Sequence, residues 1–129
     1  FAACMSNTLC SSSHTHFPLL DVALIIKFAQ LEFKFGSPER GRTIFENVLT
    51  TYPKRVDIWS IYIDMELKVK EIQRVRAIFE RVITLNLSSK KMKFFFKRYL
   101  TFEKQYGTPD LVAGVKDKAR EWVERKASL

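Results

Sequence analysis

Three eight-residue stretches, IIKFAQLE (Ile25 to Glu32), WSIYIDME (Trp59 to Glu66) and FKRYLTFE (Phe96 to Glu103), follow one rule. Each opens on a large apolar residue, places an aromatic three positions later and an apolar residue three after that, and closes on Glu. A second set accompanies them: GRTIFENVL (Gly41 to Leu49), VRAIFERVI (Val75 to Ile83) and, more loosely, VKDKAREWV (Val115 to Val123). Between the first two copies both sets are offset by 34 residues; the third copy follows at 37 in its first stretch and 40 in its second. Loop insertions account for the drift. Residues three apart share a helix face, and a fixed period with two helices per unit is the mark of an α-solenoid, in which no hairpin covers its own apolar stripe. The predicted fold is all-α: about three helical hairpins stacked as a right-handed superhelix.

Punctuation along the chain agrees. Only four Gly and four Pro interrupt long stretches rich in Glu, Lys, Arg, Leu, Ile and Phe, and the apolar fraction of 47% suits a packed interior. Residues 1–20, with SSSHTH near their centre, read as an irregular, flexible leader. From Asp21 onward Ile25, Phe28, Leu31 and Phe35 recur at helical spacing. In GSPER, Gly36 ends that helix while Ser37, Pro38 and Glu39 start the next, which carries Ile44, Phe45, Val48 and Leu49 on one side. Pro53 then stops it, because it cannot continue the hydrogen-bond ladder. The repeats are placed at about 21–53, 54–88 and 89–126, with Phe28, Leu31, Phe45, Trp59, Tyr62, Met65, Phe79, Phe96, Tyr99, Phe102 and Trp122 as the packing residues between helices.

The net charge of +8 is uneven: six basic and four acidic residues up to Arg55, sixteen and ten beyond it. An excess of about +6 in the second part points to an anionic partner surface there. Its centre is KKMKFFFKRYLTFEKQYG (Lys90 to Gly107). On a helix Met92, Phe95 or Phe96, Tyr99, Phe102 and Tyr106 fall on the packing side, and Lys93, Lys97, Thr101 and Lys104 on another. The aromatics are therefore read as core and not as base-stacking platforms. Lys90, Lys91, Lys93, Lys97, Arg98 and Lys104, with Arg74 and Arg76, form the candidate surface for RNA phosphates or an acidic protein segment.

Other chemistry finds little support. The apolar cluster FPLLDVALII is broken by Asp21 and falls short of the roughly 18 to 20 residues of a membrane span. Cys4, Cys10, His14 and His16 fit no common zinc spacing, and two cysteines give no disulfide framework, so neither metal nor cofactor is expected and a reducing compartment is the default. No Gly-rich phosphate loop, His-Glu-x-x-His or nucleophile elbow occurs, so the chain is read as non-catalytic. Glu32, Glu66 and Glu103 recur once per unit, which favours a structural carboxylate bonded to a neighbouring helix or to an arginine such as Arg81.

Within two-helix repeats, Trp59, Tyr62, Met65 and Glu66 followed by RAIFERVI resemble the half-a-tetratricopeptide (HAT) repeat of RNA-processing proteins, over Ile25 to Val123. The stretches KFAQLEFKFGSPERGRTIFENVLTTYPKRVDIWSIYIDMELK and RAIFERVITLNLSSKKMKFFFKRYLTFEKQYGT are similar to the C-terminal HAT segment of the ribosomal RNA-processing protein five family, called programmed cell death protein eleven in animals. That resemblance implies a nucleolar scaffold of early pre-ribosome assembly, with pre-ribosomal assembly proteins and pre-ribosomal RNA as partners. The alternatives are a direct RNA-binding module, in which the basic stripe supplies most of the affinity, and, from a neighbouring family, a HAT scaffold of messenger RNA 3′-end processing or splicing. HAT proteins of other families dimerise, so a homodimer is a further expectation.

Overall fold

A computed structural model describes residues 19–128 of the chain. The predicted leader up to residue 18, with Cys4, Cys10, His14 and His16, lies outside the described residues. Six helices fill the rest: α1 (Leu19–Phe35), α2 (Pro38–Thr51), α3 (Val56–Lys68), α4 (Ile72–Ile83), α5 (Ser89–Tyr106) and α6 (Pro109–Ala127). Among the described residues there is no strand, so the all-α class holds. α1 begins two residues ahead of the pattern change at Asp21.

Local chemistry sets the ends of these helices. The Ser37 carbonyl accepts from the N–H groups of Arg40 (3.1 Å) and Gly41 (3.2 Å), which launches α2 with Pro38 at its first position. α2 stops short of Pro53, and the Arg55 N–H returns to the Tyr52 carbonyl at 3.2 Å. α3 closes with Lys70 in the left-handed region at φ 62°, the N–H of Glu71 bonded to the Glu66 carbonyl and that of Lys70 to Leu67, both at 3.1 Å. α5 starts on Ser88, whose hydroxyl accepts from the Lys91 N–H at 3.4 Å, and α6 on Thr108, which does the same for Leu111 at 3.3 Å.

The chain divides into two compact units, Phe1–Val48 and Leu49–Leu129. In the described part of the first, Val22, Ile26, Ala29 and Phe33 of α1 are buried together with Phe45 of α2. The Phe33 and Phe45 rings lie 6.0 Å apart. Gly41 permits this approach, since a Cβ there would strike the Phe33 ring and come within 3.0 Å of the Ala29 carbonyl.

In the second unit α3 packs on α4, α4 on α5 and α5 on α6. Its core joins Ile58, Trp59, Tyr62, Ile63 and Met65 of α3 to Val75, Ile78, Phe79 and Val82 of α4 and to Met92, Phe95, Tyr99 and Phe102 of α5. Phe79 stacks on Tyr99 with centroids 4.8 Å apart and planes within 2°, and meets Phe102 at 5.6 Å. Trp59 satisfies its indole by donating to the Pro53 carbonyl at 2.8 Å.

Two packing expectations need correction. Phe28 and Leu31 are 41% and 53% exposed; the row of α1 that faces inward is Val22, Ile26, Ala29 and Phe33. α1 is apolar around most of its circumference, so two rows satisfy helical spacing equally well, and small Gly41 and Ala29 let α2 settle on the second of them. Of the two adjacent phenylalanines in α5, Phe95 is fully buried while Phe96 is half-exposed, its ring 6.4 Å from that of buried Trp122.

Candidate functional site

α5 presents the basic surface. Lys90, Lys93, Lys97 and Lys104 follow one another at intervals of three, four and seven residues, which keeps them on one side of the helix. They are exposed, as are Lys91 and Arg74, and none of Lys90, Lys91, Lys93, Lys97 and Lys104 makes an ion pair among the described residues. Beside them the Phe94 ring is half-exposed, set edge-on to Phe95 at 5.3 Å. Flexible ammonium heads around an accessible aromatic can meet phosphates or carboxylates without demanding one geometry.

Two predicted members of this surface are engaged elsewhere. The Arg76 guanidinium, on α4, wraps the fully buried Glu103 carboxylate of α5: Nε donates at 3.1 and 3.2 Å to its two oxygens and Nη2 at 2.9 Å to Oε1. That hydrogen bonding holds Arg76 above its ordinary pKa. Arg98 pairs with Asp64 on α3. Arg76 is thus a clasp between helices, and it is the arginine that meets Glu103; the Arg81 guanidinium lies over the Trp59 ring at 5.1 Å.

A neighbouring network escaped sequence reasoning. Tyr99 donates to Glu80 Oε1 at 2.6 Å, and Lys118 of α6 donates to the same oxygen. Burial alone would raise the Glu80 carboxyl, but the bonds from Lys118 and Tyr99 outweigh it and hold Glu80 below the usual carboxylate range. Burial, with Glu80 accepting its hydrogen bond, pushes the Tyr99 hydroxyl up. Nothing in the sequence couples Glu80 to Lys118. For Arg76 a signal existed: Arg42, Arg76 and Lys116 occupy one position of the repeated second helix, just as Glu32, Glu66 and Glu103 occupy one of the first.

An open hollow of about 420 Å³ lies at the α5–α6 turn, lined by Glu103, Lys104, Thr108, Pro109 and Lys116 among others, and its carboxylate is the one already held by Arg76. Among the described residues no group of three His, Cys, Asp or Glu side chains gathers as a metal site, and no helix is long and apolar enough to cross a membrane.

Residues 15–129 match the sequence model of the suppressor of forked protein (Suf) family. The mouse protein RRP5 homolog is 61% identical over 107 residues, 83% of this chain and 6% of that protein. The human protein RRP5 homolog is 60% identical over 108 residues, 84% of this chain and 6% of its own length. The rRNA biogenesis protein rrp5 of Schizosaccharomyces pombe is 51% identical over 107 residues, again 83% and 6%. The chain therefore spans about 6% of the length of these relatives.

Proposed function

Because the chain belongs to the suppressor of forked protein family, we propose that it is a non-catalytic HAT-repeat scaffold of ribosome biogenesis, with repeats at about 21–53, 54–88 and 89–126. It would support pre-ribosomal RNA processing and small-subunit assembly in the nucleolus by holding assembly proteins and, through α5, pre-ribosomal RNA. The observation that carries this reading is the row Lys90, Lys93, Lys97 and Lys104, exposed and free of ion pairs among the described residues on a helix whose opposite face is locked into the core. The relatives' names, which speak of rRNA biogenesis, supply the process. A helix face of unpaired lysines attracts a polyanion without reading its sequence, which suits a scaffold that rides on RNA while other modules select the site.

The test is recovery of the tagged chain from nuclear extract with and without ribonuclease. Ribosome-assembly proteins that survive the nuclease support the scaffold; their loss with the RNA assigns the affinity to α5. Recovery of splicing or 3′-end processing factors in their place overturns the reading.

A further inference from the structure

Three consecutive phenylalanines, Phe94, Phe95 and Phe96, stand between Lys93 and Lys97, and each has a different place in the fold. Phe95 is fully buried and Phe96 leans on Trp122, whereas the Phe94 ring is 48% exposed. Among the described residues its ring contact is the edge-on one with Phe95, at an interplanar angle of 76°, and no cation lies over its face. Packing between helices does not ask for this ring. By the repeat offsets Phe94 falls on Asp57 of α3 and on Ala23 of α1, and both are exposed. A position that the other two units fill with an aspartate and an alanine makes no demand for bulk.

Its surroundings set it apart. On a helix the neighbours of a side chain are those three and four residues away, and for Phe94 they are Lys90, Lys91, Lys97 and Arg98. Arg98 pairs with Asp64, which leaves the ring bordered by three exposed lysines that make no ion pair among the described residues. Ammonium groups take anions of any kind, but an accessible ring beside them favours a ligand that carries flat faces next to its charges. An acidic segment supplies the charges without the faces. A duplex supplies phosphates but keeps its bases inside the stack, whereas a single strand can turn an unpaired base outward. From Lys90 to Lys104 the row runs about 21 Å along the helix axis, which is room for a few nucleotides.

Given the reading of α5 as an RNA face, on which this rests, we propose that the strand it takes is single: phosphates lie along Lys90, Lys93, Lys97 and Lys104, and one unpaired base stacks on the Phe94 ring. Recognition is tolerant of sequence, because every base has a π-face.

The probes are a short labelled oligouridine, an abasic oligomer and a duplex with as many phosphates, and an oligoglutamate of equal charge, each titrated by anisotropy against the whole chain at low salt. Oligouridine should bind most tightly. Phe94→Ala should weaken it about fivefold or more, the usual effect of one stacked base, and leave the abasic oligomer and the duplex unchanged. Phe94→Tyr keeps the π-face and should retain the affinity; Phe94→Leu keeps an apolar contact with Phe95 without that face and should lose it. None of these changes removes a charge, so the slope of log affinity against log salt should stay that of the parent chain, while Lys97→Glu lowers it. Circular dichroism checks that each variant remains helical. Abasic oligomer or duplex bound as tightly as oligouridine, indifference to Phe94→Ala, or full affinity in Phe94→Leu overturns the stacked single strand and leaves the lysine row its phosphate contacts. Oligoglutamate bound as tightly as oligouridine, or no nucleic acid bound at all, overturns the RNA face along with it.

Discussion

Arg76 and Glu103 stand 27 residues apart and on different helices, yet the guanidinium of one closes on both oxygens of the other, whose side chain is entirely shielded from water. The pair links α4 to α5. Removing one member leaves a buried charge unmatched, so Arg76→Met is expected to cost about 3–5 kcal/mol. Arg76→Met with Glu103→Met should cost clearly less than the two single changes added together. Urea unfolding of the four proteins in the cycle reads this directly, and additive effects would show that the pair does not couple the helices.

Acid should loosen the same region. Glu80 is held below its ordinary value of 4.5, so the stability it contributes is complete above that value and disappears as pH falls through the lower folded one. The carboxylate is part-exposed, which keeps the contribution modest. Urea midpoints should stay level near neutrality and fall below about pH 4.5, with a shallower fall in Glu80→Gln. An identical acid slope in the variant would remove Glu80 from the account.

Two glycines inside helices predict opposite outcomes. A Cβ on Gly114 meets nothing within 4 Å, and Gly114→Ala should stabilise α6 by about 0.5–1 kcal/mol through the unfolded chain's lost freedom. At Gly41 the same change drives a methyl into Phe33 and should destabilise by about 1–3 kcal/mol. Melting temperatures that move in one direction for both would contradict the packing described for α1 and α2.

Reversal of Lys93, Lys97 and Lys104 to Glu leaves the core untouched, since these side chains are exposed. Helical circular dichroism should therefore persist, while affinity for single-stranded RNA at low salt falls. Each lost phosphate contact lowers the slope of log affinity against log salt by about 0.7 for a single strand. An unchanged slope would leave the lysine row without an RNA role and favour an acidic protein segment.

The helical class, the turns at Gly36 and Pro53 and the 34-residue offset were legible in the sequence because they depend on neighbours along the chain: spacing, caps and breaks in the hydrogen-bond ladder. Which face of α1 turns inward was not, because that helix carries two apolar rows and only the approach of Gly41 to Ala29 and Phe33 chooses between them. Nor did spacing separate Arg76 and Arg98, held by Glu103 and Asp64, from Lys93 and Lys97, which make no ion pair among the described residues. The sequence by itself determined a repeated helix pair with a basic face. Tertiary packing alone decided which cations face solvent, since a cation's availability depends on carboxylates brought to it from other helices.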